Sequence, residues 1–217
     1  MSETLQTPRT TVRRLAGRGS YDRELIHGIL DEAFICHVGF VAGGAPVVIP
    51  TIHWREGETL YFHGSAASRM LRSMRDGAEV CVTVTLLDGL VLARSAFHHS
   101  MNYRSAVVIG RAREVTGDEK LRALTALVEH VCRGRSAEVR APNEIELQQT
   151  LVLALPIEEA SAKVRKGGAV DDEEDHALPV WAGVLPLRTV PQEPIADVRL
   201  DPAVAVPEYV KHYTRRG

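Results

Sequence analysis

Apolar positions divide the chain into alternating segments with period two and helical segments with period near 3.6. From Tyr21 to Ala33, Leu25, Ile26, Ile29 and Leu30 recur at helical spacing, with Asp22 placed to cap the start. "FICHVGFV" and "APVVIPTIHW" are apolar runs joined through Gly43–Gly44, which predicts a hairpin. "REGE" turns the chain into "TLYFH", so a three-strand meander is expected over 34–63. "SRMLRSMRDG" predicts a short helix ended by Gly77. In "EVCVTVTLLDG", Val80, Val82 and Val84 share one face of a strand, and "LVLARSAF" and "YRSAVVIGRAREV" predict two more. "GDEKLRALTALVEHVCRG" carries a stripe of Leu121, Leu124, Leu127, Val128 and Val131, stopped by Gly134. "PNEIELQQT" is a shorter helix with Asn143 as its cap, and "LVLALPIEEASAKVR" begins as a strand. "GGAVDDEED" interrupts it before "LPVWAGVLPL" resumes extended structure.

Connections of two to four residues within the meander are too short for parallel crossovers. With no G-x-G-x-x-G, a Rossmann sheet is excluded, and the pattern predicts a mainly β fold, a small antiparallel barrel with peripheral helices. Three parts are expected: an arm over 1–20, kept polar by Arg9, Arg13, Arg14 and Arg18 and out of helix by Pro8, Gly17 and Gly19, a domain over 21–190, and a Pro-rich wrapping tail over 191–217.

Composition narrows the function. The 217 residues are 45% hydrophobic and 25% charged, which supports a real core. A net charge of -2 gives no global field for nucleic acid or anionic membrane. Cys36, Cys81 and Cys132 are far apart without C-x-x-C spacing, and the polar N-terminus lacks a secretory apolar stretch. A cytoplasmic protein is the expectation, and no segment approaches the roughly 20 apolar residues of a membrane span.

The sharpest local feature is "LYFHGSAASRML". A strand ending at His63, a turn through Gly64 and Ser65, and a helix opening at Ser68–Arg69 aim N–H groups, hydroxyls and a guanidinium at one spot. The ordinary alternative is a helix cap followed by a solvated arginine. His53 and His63 fall on strands that could face each other. Without Asp, Glu or Cys at ligand spacing they read as polar pocket lining rather than a metal pair. His98 and His99 would point to opposite sides of a strand. Trp181 reads either as a core or interface anchor or as contact with a flat cofactor.

Four segments in order, "GAPVVIPTIHWREGETLYFHGSAASRML", "SAFHHSMNYRSAVVIGRAREV", "SAKVRKGG" and "LPVWAGVLPL", resemble the pyridoxamine 5′-phosphate oxidase-like flavin-binding split-barrel superfamily. Within it they look most like the flavin-nucleotide-binding proteins related to the nitroimidazole-resistance (Nim) proteins. The resemblance spans roughly residues 10–190. It implies an FMN-binding split β-barrel of six strands, forming a homodimer with FMN at the interface. By this resemblance Pro50, Thr51, Ile52 and His53 run beside the isoalloxazine ring. Gly64, Ser65, Ser68 and Arg69 hold the phosphate, with Met70 where the oxidase has a lysine. Asn102, Tyr103 and Arg104 lie near the ring or interface, and Trp181 reaches the flavin of the other subunit. His63 is the implied active-site residue, the candidate proton donor to a small, nitro-aromatic acceptor. "AGVLPLRTV" stands where the oxidase has its R-L-H-D-R motif, which points away from pyridoxamine-phosphate oxidation. A non-catalytic flavin carrier or sensor, and a haem-binding split-barrel relative using His98 or His99, are the competing expectations.

Overall fold

The computed structural model describes residues 4–214; the first three residues of the arm and the last three of the tail lie outside the described residues. The elements are β1 (Gly19–Ser20), α1 (Arg23–Glu32), β2 (Ile35–Ala42), β3 (Ala45–Ile52), β4 (Trp54–Glu56), β5 (Thr59–Ser65), α2 (Arg69–Arg75), β6 (Glu79–Leu92) and β7 (Ser100–Arg111). They continue with β8 (Arg113–Glu114), α3 (Gly117–Val131), α4 (Glu144–Gln149), β9 (Thr150–Pro156), β10 (Glu159–Arg165), β11 (Gly183–Pro186) and α5 (Glu208–Lys211). All pairings are antiparallel. One sheet runs β1-β10-β7-β6-β2-β3, with β11 added to β6, and a second runs β4-β5-β9-β8. The fold is mainly β, a barrel split into two sheets with helices outside. Among the described residues no helix is long and apolar enough to cross a membrane.

Local chemistry explains the expected elements. The Asp22 side chain accepts the Leu25 N–H at 2.8 Å, and Asn143 with Glu146 forms a capping box. Gly43 and Gly44 both take positive φ (59° and 78°), the conformation a two-residue hairpin turn requires. Between the sheets, Ile26, Ile29 and Leu30 of α1 join Val80, Val82, Val84, Phe62 and Leu153 in the main core. From the arm, Leu5 is fully buried there, and β1 pairs with β10.

Three expectations are corrected. The meander is not continuous: β3 pairs only with β2, and the chain crosses at His53 into the second sheet, where β4 and β5 pair. Crossing lets β3 and β5 cover opposite sides of one core. The Asp88–Gly89 pair does not separate two strands but forms a bulge within a single 14-residue strand, and Ala96–His98 is a 3₁₀ turn rather than strand. A Cβ at Gly89 would stand 3.0 Å from the Leu185 carbonyl oxygen and 3.2 Å from Val184 Cγ1, so glycine admits β11. Gly89→Ala is expected to cost about 1–3 kcal/mol, read as a lowered urea midpoint. Finally, the face of α3 that packs inward is Ala123, Leu124, Ala126 and Leu127, leaving Leu121 and Val131 exposed. Its partners are Trp54, Tyr61, Val152 and Ala154 of the second sheet, so the narrow face with alanines is the one that fits under those aromatics.

Candidate functional site

The turn between β5 and α2 gathers Gly64, Ser65, Ser68 and Arg69 as the sequence predicts. Ser68 caps α2, its Oγ accepting the Leu71 N–H, and its own N–H reaches the Ser65 carbonyl at 2.9 Å. Ser65 Oγ accepts the Ala67 N–H at 3.2 Å. Both hydroxyls keep their protons for donation. A Cβ at Gly64 would lie 3.1 Å from Leu71 Cδ1, so glycine lets the helix close onto the strand. Arg69 is exposed and forms no ion pair among the described residues, whereas Met70 is buried in the core. An exposed cation, two hydroxyl protons and a helix N-terminus are the kinds of donor that could hold an anion at this turn.

His63 is half-buried on β5, its ring edge-on to Trp54 at 5.8 Å and its Nδ1 buried without a partner. Burial lowers its pKa from the ordinary histidine value. The imidazole is therefore neutral at pH 7, which moves the expected proton-donor chemistry to acidic pH. His53 does not face His63. It is fully buried at the crossing, its Nε2–H donating to the Leu30 carbonyl at 2.9 Å, with His130 6.3 Å away. Its ring is closed off from any ligand, because it ties the crossing to the end of α1.

Burial pushes the His53 pKa down to about 4. The unfolded chain binds this proton near pH 6.5 and the folded chain does not, so stability falls as pH drops from about 6.5 to 4. The loss expected from His53 alone is roughly 3 kcal/mol, and His63 and His27, also shifted down, add to it. Urea titrations at pH 7 and pH 4.5 check this, and His53→Gln is expected to flatten the difference.

Pro50, Thr51 and Ile52 lie on β3, the open edge of the large sheet, in contact with β5. Proline is tolerated there because no neighbouring strand needs its N–H. The outer face of this edge exposes Ile35, Val41 and Val48. Asn102 is buried instead. Its Nδ2 donates to the Gly167 carbonyl at 3.0 Å and its Oδ1 accepts from Arg165, so it holds the turn after β10. Tyr103 is half-buried on β7 beside it. Trp181 is 67% exposed. It precedes β11, which pairs with β6 at Leu92, whereas β2 pairs with β6 near Thr83. Those positions are nine residues apart, roughly 30 Å along a strand. Trp181 thus lies toward the Leu92 end of β6, whereas α2 leads into its Glu79 end. Arg104, bidentate to both Glu32 and Asp88, links α1, β7 and the β6 bulge; its partners lie 72 and 16 positions away, which no sequence spacing signals.

The profile of the family described as pyridoxamine 5′-phosphate oxidase matches residues 22–164, well over half of the chain. The chain belongs to the pyridoxamine 5′-phosphate oxidase family. Within this family the chain is similar to the flavocytochrome Anf3 from Azotobacter vinelandii, at 41% identity and a TM-score of 0.89 over 94% of this chain and 96% of that one. It is similar also to the FAD and heme binding protein from Mycobacterium smegmatis, at 38% identity and 0.87 over 89% and 96%. A candidate 5-nitroimidazole antibiotic resistance protein from Bacteroides thetaiotaomicron shares 26% identity at 0.56, over 67% and 86%. No curated protein matches the chain. Like these relatives, this pyridoxamine 5′-phosphate oxidase family member has a split-barrel fold.

Proposed function

We propose that the chain binds a flavin through the β5–α2 turn and the edge of β3, and acts as an oxidoreductase on a small acceptor of nitro-aromatic type. The observation that carries this reading is the unpaired Arg69 at a turn with two free hydroxyl protons, beside an open sheet edge. In this reading Ser65, Ser68 and Arg69 hold the phosphate next to the ribityl chain, which FMN and FAD share. FMN is the smallest flavin nucleotide that this turn would serve; the name of one relative, the FAD and heme binding protein, favours FAD. Alternate backbone groups along β3 face outward to meet the ring edge. A bound flavin supplies the redox chemistry. Neutral His63 supplies an acceptor and, on protonation, a donor above the turn. Trp181, exposed toward the Leu92 end of β6, fits a homodimer in which it covers the partner's flavin.

Flavin-loaded protein with a reduced nicotinamide donor is expected to turn over nitro-aromatic or quinone acceptors, and Trp181→Ala to raise KM. Tight flavin binding without turnover on either acceptor class would replace this reading by the flavin carrier or sensor.

A second reading adds haem. It rests on the two similar proteins named for flavin together with a cytochrome or heme. His99 suits an axial role: its Nδ1 bonds the Ser95 carbonyl at 3.0 Å, leaving Nε2 outward, and the neighbouring Phe97 is 87% exposed. His98 is engaged with Asp172. Reconstitution with hemin is expected to give a Soret band that His99→Ala shifts or abolishes.

A further inference from the structure

At the edge of the large sheet opposite β3, β1 and the end of β10 border a cleft of about 570 Å³. Arg18, Ser20, Arg165 and Lys166 line it, and no carboxylate does among the described residues. Arg165 forms its floor and is only 6% exposed. Its Nη1 donates to Asn102 Oδ1 and the Gly167 carbonyl, and its Nη2 to the Gly168 carbonyl at 3.1 Å. All three acceptors are neutral. A guanidinium has five N–H groups, so Nε–H, buried without an acceptor, and one N–H of Nη2 are left over. A buried cation without a counter-charge is costly, and an anion in the cleft relieves that cost.

The rim strengthens the case. Arg18 and Lys166 form no ion pair among the described residues. Ser20 Oγ accepts the Asp22 N–H and keeps its proton for a ligand. The acidic run that follows is turned elsewhere: Asp171 is held by the Arg94 backbone N–H and guanidinium, and Asp172 by His98. At Gly17 and Gly168 a Cβ would meet nothing within 4 Å, so the backbone is open to a close-approaching ligand. The volume falls in the range of small-molecule sites, well above that of a lone ion.

We propose that this cleft binds the phosphate or diphosphate group of a nucleotide, separately from the β5–α2 turn. The source that fits is a nicotinamide dinucleotide donor, because the AMP phosphate of FAD is bonded directly to the phosphate held at the β5–α2 turn, and this cleft lies at the opposite edge of the sheet. The test titrates inorganic pyrophosphate into the full chain by calorimetry at low ionic strength, in three forms: wild type, R18E/K166E and R69E. Saturable binding is expected in R69E, where the cleft is the remaining site, and in R18E/K166E that component is expected to weaken about a hundredfold by loss of two charge-assisted contacts, leaving only binding at the β5–α2 turn. FMN titration of R18E/K166E is expected to match wild type, which reports on folding and on the flavin turn independently. NADPH titration is expected to lose affinity in R18E/K166E and to keep it in R69E. Absence of saturable pyrophosphate binding in the wild type, or binding lost in R69E and kept in R18E/K166E, would overturn the assignment.

Discussion

Arg69→Glu is expected to weaken flavin binding by about a hundredfold or more while leaving the fold intact. Arg69 is exposed at the first position of α2 and forms no ion pair among the described residues, so its loss breaks no contact of the folded chain. In the proposed reading its guanidinium is the charge that pairs with the flavin phosphate. Removing one charge-assisted bond accounts for about tenfold, and placing a carboxylate beside a dianionic phosphate adds repulsion of at least similar size. Quenching of flavin fluorescence on titration reads the affinity. Arg75→Glu, at the far end of the same helix, is the control and is expected to bind as wild type. Equal affinity in Arg69→Glu and wild type would place the phosphate elsewhere.

Arg104→Met is expected to cost about 3 kcal/mol of stability. Arg104 stands between Glu32 at the end of α1 and Asp88 at the β6 bulge, with bidentate bonds to both carboxylates. Its pairing with two anions raises the guanidinium pKa, so the cation is held throughout the working pH range. Methionine replaces the apolar stem but removes the cation that holds the Glu32 and Asp88 carboxylates together. The decisive comparison is the triple variant with Glu32→Gln and Asp88→Asn, which removes the repulsion and is expected to recover more than half of the loss. If Arg104→Met unfolds at the wild-type urea midpoint, the triad is a solvated surface pairing.

The two halves of the site differed in how far the sequence disclosed them. The β5–α2 turn was legible because a strand end, a glycine, a cap serine and a cation adjoin within a few residues, and local spacing sets their geometry. The hairpin at Gly43–Gly44 and the caps at Asp22 and Asn143 were legible for the same reason. His53 was misplaced because alternation along "PTIHW" continues a strand on paper, whereas the chain leaves its sheet at that residue. Asp88–Gly89 marked the boundary between two expected strands; only the approach of β11, nearly a hundred positions later, shows why glycine stands in mid-strand. On α3 the expected Leu124 and Leu127 do pack toward Trp54 and Tyr61, but Ala123 and Ala126 share that face while Leu121 and Val131 stay exposed, so the buried stripe is rotated from the one drawn through the largest residues. Arg104 and Arg165 take their roles from partners that only the tertiary fold supplies.

The central claim is that this chain holds a flavin through the β5–α2 turn. The measurement that addresses it most directly is the visible spectrum of the protein after incubation with FMN or FAD and removal of free flavin. The account predicts bands near about 370 and 450 nm at close to one flavin per chain, lost in Arg69→Glu. A wild-type protein that emerges colourless after both flavins would contradict it.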